Sequence, residues 1–240
     1  MMSNSPAFGR DAKEFLSKLG MGERNKQNDP NEQNGVRITA IIPSGSDKKI
    51  VRVLVSNPSG SEEVEFLLMN AHVERLSAEV GEIDPEMLPE LEYFAEVSKA
   101  YSSACSSFAF APSSLSALFK KLRNKGYAKD VCEEAIDCLK LAGFVNEGDI
   151  ALRRAQIMVE KRWGRGRILP KLREEGFSGS ALDAAIEYMD SVDFGAICAE
   201  HIRKKFGKVP EDPHERKLMY ASLSRMGFSP SDIKLAVKLM

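Results

Sequence analysis

Between Val36 and Met69 the apolar positions come in short β-branched runs. VRITAIIP (36–43) and KKIVRVLVS (48–56), with Ser-Gly-Ser-Asp between them, predict two strands joined by a hairpin-like turn. NPSGSEE (57–63) reads as a second turn, and VEFLLMN (64–70) as a third strand or the start of a short helix. Asp84-Pro85-Glu86 then signals a helix start, with proline at the first helical position and acids facing the dipole. That helix is expected to run, with or without a break, through LPELEYFAEVSKAYSSACSSFAF. Ahead of the strands, residues 21–35 (MGERNKQNDPNEQNG) have almost nothing to bury and predict disorder. Asp11–Leu19 could form a short amphipathic helix through Phe15, Leu16 and Leu19, marginal by itself.

From there on the hydrophobic period is helical, and it repeats. Laid on Gly126, Gly176 and Gly227, three segments align position by position. Eight residues before each glycine stand Leu118, Ile168 and Met219, and four before stand Leu122, Leu172 and Leu223. One residue after come Tyr127, Phe177 and Phe228; six after, Cys132, Leu182 and Ile233. Ala135, Ala185 and Ala236 follow at nine, Ile136, Ile186 and Val237 at ten, and Leu139, Met189 and Met240 at thirteen. The upstream offsets trace one stripe of a helix and the downstream offsets one stripe of the next. The glycine is expected to be the C-cap between them. With upstream helices at roughly 85–110, Glu147–Trp163 and Phe194–Phe206, this predicts three tandem three-helix units. The expected fold is mainly α: an elongated helical array after a small strand-containing α+β module and a disordered N-terminal tail. The divisions are 1–35 for the tail, 36–84 for the leader module, and 85–144, 145–193 and 194–240 for the repeats.

Charge sharpens the picture. Residues 36–111 hold six basic against twelve acidic side chains, whereas residues 112–240 hold 23 against 18. A net charge of −1 conceals this lopsidedness, which points to an anionic or mixed-charge partner for the C-terminal part. No apolar run approaches the roughly 20 residues that span a bilayer, and the start has no signal-peptide core, so a cytoplasmic protein is expected. The four cysteines and three histidines fall at no metal-ligand spacing, so no metal and no cofactor are expected. There is no GxxxxGK[ST], HExxH or GxSxG segment, so local motifs give an enzyme little support.

The densest chemistry lies in KRWGRGRILPKLR (161–173), where six of thirteen residues are basic and none is acidic. A structural reading has Gly164 and Gly166 ending one helix and opening the next, with Pro170 tolerated only in about the first turn. Trp163 would then cap a seam that includes Ile150, Ala155, Ile157 and Val159. A functional reading places Lys161, Arg162, Arg165 and Arg167 around a helix–helix corner, with Lys171 and Arg173 on the following helix. Lys121 and Arg123 sit at the same offsets one unit earlier, and Arg153 and Arg154 extend the track. Guanidinium groups there suit carboxylate- or phosphate-bearing partners. Within the sequence, Lys161–Arg167 has no counterpart in the other two units.

Several stretches together resemble the RecX family of bacterial regulators of the RecA recombinase. They are LFKKLRNKGY with VCEEAIDCLKLAGFVNEGDIA, and RRAQIMVEKRWGRGRILPKLREEGF, where the GRG-x-I-x-x-x-L-x-x-x-G run is the most diagnostic piece. The segment from ITAIIPSGSDKKIVRVLVS to MLPEL is similar to the strand-rich leader of one branch, and the similarity covers about residues 36–240. The resemblance implies a non-enzymatic protein that binds the RecA–DNA filament in its groove and suppresses ATP hydrolysis and strand exchange. Two departures matter: the chain is near neutral, and Ser222 and Ser224 replace the basic pair in the third unit. Both favour protein contacts over the alternative, direct nucleic-acid binding through the basic face of repeats 1 and 2.

Overall fold

The computed structural model describes residues 35–44, 50–56 and 63–240. The expected tail, its short helix and both predicted strand-connecting turns lie wholly or largely outside these residues. The described chain forms two compact units: one from the residues up to Ala104 with Lys125–Cys138, the other from Cys105–Asn124 with Leu139–Met240.

In the first unit β1 (Val36–Pro43), β2 (Ile50–Ser56), β3 (Glu63–Met69) and β4 (Gly81–Ile83) make an antiparallel sheet in the order β3-β2-β1-β4. Alternation sets its faces: Val36, Ile38, Val51, Val53, Val55, Phe66 and Leu68 point inward, while Arg37, Thr39 and Arg52 point out. The register shifts between Ile38 and Ala40, where the chain carries a β-irregularity. VEFLLM is thus a strand, and the short helix α1 (Asn70–Arg75) follows it directly. Neither α1 nor β4 is predicted by the sequence; six and three residues are too few to show a period.

Asp84 opens the next helix as anticipated, its carboxylate accepting the Glu86 N–H at 2.9 Å. A 3-10 turn over Pro85–Met87 leads into α2 (Leu88–Phe110), unbroken over its 23 residues. Leu91, Phe94, Val97, Ala100, Tyr101 and Ala104 are buried along it. The backbone N–H of Met69 donates to the buried Ser98 hydroxyl at 2.9 Å, tying the end of β3 to this helix.

The remaining helices are α3 (Leu115–Asn124), α4 (Lys129–Leu141), α5 (Glu147–Glu160), α6 (Arg165–Glu174), α7 (Asp183–Asp190), α8 (Phe194–Phe206), α9 (Pro213–Arg225) and α10 (Pro230–Lys238). The repeat is physical. Gly126, Gly176 and Gly227 have φ of 97°, 92° and 91°. Leu118, Ile168, Met219, Leu122, Leu172, Leu223, Ala135, Ala185 and Ala236 are all buried. Met240 departs from the pattern and is exposed. Contrary to expectation, the glycines are not themselves the C-caps but lie one residue beyond them; the cap is Glu175 in α6 and Met226 in α9. The Gly176 N–H donates to Arg173 O and the Phe177 N–H to Leu172 O, the Schellman pattern that requires a left-handed residue after the cap. The Gly227 turn repeats it with Ser224 and Leu223.

Side chains from α5 to α10 share one core, in which Ile168, Leu172, Ala185, Cys198, Ile202, Met219 and Leu223 are fully buried. Leu172→Ala should therefore cost about 2–5 kcal/mol. Urea unfolding checks it; a change within about 0.5 kcal/mol would contradict this burial.

Candidate functional site

The basic corner begins where α5 stops, at Glu160 rather than Trp163. Arg162 occupies the left-handed position usually given to glycine, with φ of 59°. Its N–H donates to Val159 O at 2.8 Å, and Trp163 N–H to Met158 O at 3.1 Å. This is the same Schellman turn that closes α6 and α9, with Trp163 where those have Phe177 and Phe228. The buried stripe of α5 is Ala151, Ala155 and Met158, and Ile157, assigned to it from sequence, is 38% exposed. Trp163 is half-buried against the common core.

Gly164 is the N-cap of α6 and so opens that helix as expected, and the two glycines have a second task besides. The Gly164 N–H donates to Met226 O at 2.8 Å and the Gly166 N–H to Gly227 O at 2.9 Å. Orphan amides at the start of α6 thus satisfy orphan carbonyls at the end of α9. A Cβ on Gly164 would overlap the Gly227 carbonyl, so only glycine permits this approach. Twelve residues before Gly126, Ser114 makes the equivalent junction: its hydroxyl donates to Glu175 O at 2.6 Å and accepts the Ala117 N–H at 3.1 Å. A Cβ on Gly176 would meet that hydroxyl at 2.6 Å. The Gly164 junction therefore has a counterpart at Ser114, which the sequence comparison did not equate with Gly, while the cations of Lys161–Arg167 have none in the aligned residues 111–117.

The junction also lets Pro170 sit sixth in α6, beyond the first turn where it was expected. Its missing N–H and ring leave the Gly166 carbonyl unpaired within the helix. The two bonds to α9 hold that first turn instead. Cations at a helix N-terminus oppose the macrodipole, and the C-terminal carbonyls of α9 offset the conflict.

Compensating acids, absent from residues 161–173, come from just after the stretch and from other helices. Arg165 pairs with Asp190, Arg162 Nε lies 3.4 Å from Glu200, Lys171 lies 3.0 Å from Glu174, and Arg154 lies 3.9 Å from Glu175. Arg167 stacks on Trp163 with its guanidinium carbon 3.8 Å from the ring centroid, and donates to Met226 Sδ at 3.2 Å. Lys121, Arg123, Arg153, Lys161 and Arg173 are exposed. Among the described residues Lys121, Arg153, Lys161 and Arg173 form no ion pair. All eleven predicted contact residues belong to the second unit.

A cleft of about 470 Å³ missed by the sequence reading lies beside Arg153 and Arg154, walled by Phe108, Pro112, Phe144, Ile150 and Ile157. Phe144 and Phe194 share one repeat offset, yet Phe194 is 7% exposed and Phe144 59%. A core position of the pattern is thus left uncovered, a difference that equal hydrophobicity hides.

The first unit gathers His72, Glu134 and Cys138, which no local spacing links. His72 stacks on Phe94 at 4.3 Å, and burial lowers its pKa against the opposing pull of Glu134. Burial raises that of the Cys138 thiol.

The geometry defines a class: a largely helical protein whose three glycine turns recur, with a sheet at one end of the sequence and a cation-rich helix corner. No family model matches the sequence. The chain is 28% identical over 113 residues to the regulatory protein RecX of Pseudomonas entomophila (strain L48), covering 47% of this chain and 72% of that protein. It is 28% identical over 120 residues to that of Halorhodospira halophila (strain DSM 244 / SL1), covering 50% and 74%. A crystal structure of regulatory protein RecX superposes with a TM-score of 0.67 at 18% identity, over 85% of this chain and all of that one. RecX from Lactobacillus salivarius superposes at 0.51 with 23% identity, over 60% and 98%. The sequence likenesses and the superpositions are both to proteins named RecX, and the superpositions show that the fold is shared. Among the described residues no helix is long and apolar enough to cross a membrane.

Two outcomes test the corner. Gly164→Ala should lose about 1–3 kcal/mol from overpacking, measured by urea unfolding; an unchanged midpoint would mean the α6–α9 approach is wrong. His201, whose Nε2 is buried without a partner, has its pKa lowered by burial first and then by Lys205, Arg162 and Lys204. The unfolded chain then takes up a proton that the folded chain resists, so stability falls as pH drops below the ordinary value of 6.5. His201→Gln should flatten that decline in a pH series of melting curves; an unaltered slope would contradict it.

Proposed function

We propose that the chain is a non-enzymatic regulator that binds a RecA-type recombinase filament on DNA and suppresses its ATP hydrolysis and strand exchange. The carrying observation is the set of exposed cations without ion pairs, Lys121, Arg153, Lys161 and Arg173, on one compact unit. These have no internal carboxylate to leave, so an anionic partner meets them at low reorganisation cost. Arg165, Arg162 and Lys171 are already paired and would have to exchange partners.

The uncovered Phe144 and Ile157 beside Arg153 and Arg154 favour a protein over bare phosphate. A mixed apolar and cationic surface is what a protein interface needs at its centre and rim. The first two repeats, with the divisions given above, supply these cations and the cleft. Trp163 and Arg167 act as a stacked unit at the corner, and Arg123 lies on the same helix as Lys121.

The combined Lys121→Ala, Arg153→Ala, Lys161→Ala and Arg173→Ala variant should keep its melting behaviour, since exposed changes shift stability by about 0.5 kcal/mol or less each. Inhibition of the recombinase's ATP hydrolysis on single-stranded DNA should weaken about tenfold or more, a loss of roughly 1.4 kcal/mol. Undiminished inhibition by a folded variant would sink the reading. Binding to naked duplex separates the alternative: direct phosphate recognition gives log K a slope of about −0.9 per neutralised phosphate against log salt. Tight, steeply salt-dependent binding to naked DNA would replace the filament by DNA as the primary partner.

A further inference from the structure

The cluster at His72, Glu134 and Cys138 does not belong to the basic corner and has no part in the function proposed above. Its three candidate ligand atoms lie within 4.8 Å of one another. Glu134 and Cys138 stand four residues apart on α4 and so share one face. His72 comes from α1, and its ring is fixed by the stack on Phe94 and is 97% buried as a residue, since 3% remains exposed.

Two of the three spacings bear on what the cluster is. His72 Nε2 is 3.6 Å from Glu134 Oε1, which is too long for a hydrogen bond between nitrogen and oxygen. It is 3.7 Å from Cys138 Sγ, at most a weak contact. Around a tetrahedral zinc ion, with bonds of about 2.0–2.1 Å to nitrogen or oxygen and 2.3 Å to sulfur, the nitrogen–sulfur edge is about 3.6 Å and the nitrogen–oxygen edge about 3.3 Å. Both observed separations are within a few tenths of an ångström of these edges. A divalent ion with one thiolate, one carboxylate and a neutral imidazole also gives a site of zero net charge, which suits a half-buried position.

We propose that His72, Glu134 and Cys138 bind a zinc-type divalent ion, with water in the fourth position. On binding, the Cys138 thiol gives its proton to solvent, and the sulfur, the carboxylate oxygen and Nε2 each supply an electron pair. Arg75, whose Nη1 lies 3.1 Å from Glu134 Oε1, competes with the ion for that carboxylate. Its side chain is 62% exposed and can swing away. The ion would clamp α1, and with it the end of β3, onto α4.

The test uses the full chain, stripped with chelator and titrated with Co²⁺ as a spectroscopic probe. The expected result is saturation at one ion per chain, a thiolate-to-cobalt charge-transfer band, and the intense visible bands of a four-coordinate ion, all removed by added Zn²⁺. Cys138→Ser should abolish the charge-transfer band, whereas Cys105→Ser and Cys198→Ser should keep it. Arg75→Met should bind several-fold more tightly, which a purely packing role for the cluster would not produce. Should the Cys138 or His72 variants fail to fold, Glu134→Gln, altered at a partly exposed side chain, decides the matter by weakened binding with unchanged circular dichroism. Absence of a cobalt spectrum in the parent, or survival of the charge-transfer band in Cys138→Ser, would overturn the proposal, as would affinity unchanged in both Glu134→Gln and Arg75→Met.

Discussion

The second unit depends on a contact between helix ends. The start of α6 presents amide groups, and the turn after α9 presents carbonyls; neither set has a partner within its own helix. Bringing Gly164 and Gly166 against Met226 and Gly227 satisfies both in two short hydrogen bonds. It also sets the positive end of one helix dipole on the negative end of another. The start of α3 meets the turn after α6 in the same way, with Ser114 lending its hydroxyl where the other junction has bare backbone. One rule thus joins successive trios, written once in glycine and once in serine.

That constraint explains the composition of the corner. Glycines stand there because two backbones touch, Pro170 survives because the first turn is held from outside, and Arg162 takes a left-handed turn that a hydrophobic Trp163 then closes. The arginines are arranged around this joint: Arg165 on Asp190, Arg162 beside Glu200, and Arg167 over the indole. What remains for a partner are the side chains the scaffold does not use. The diagnostic motif is chiefly architecture, and the cations that the scaffold leaves without ion pairs lie mainly on its periphery.

Much of this was legible beforehand. The three glycines, the apolar offsets and the β-branched runs dictate helices, turns and strands through local periodicity, and the structure follows them, from β1 at Val36–Pro43 to α8 at Phe194–Phe206. Several of the unread parts involve partners distant in sequence. Acids at Asp190 and Glu200 answer a stretch that looks uncompensated on paper. Ser114 matches Gly164 in role but not in type. Ile157 has the hydrophobicity of a core residue but points outward, and α1 and β4 are too short for a period. The His72, Glu134 and Cys138 cluster is the extreme case, since 62 residues separate its first two members and only the folded approach of α1 to α4 unites them.

The most direct test of the head-to-tail joint is amide hydrogen exchange at Gly164 and Gly166, followed by NMR. First-turn amides of a helix ordinarily exchange quickly, and those of α5, capped only through the Asn146 side chain, supply the comparison. If the joint holds, both glycine amides exchange as slowly as the Leu172 core. Exchange at the rate of the α5 first turn would mean that α6 and α9 do not meet end to end.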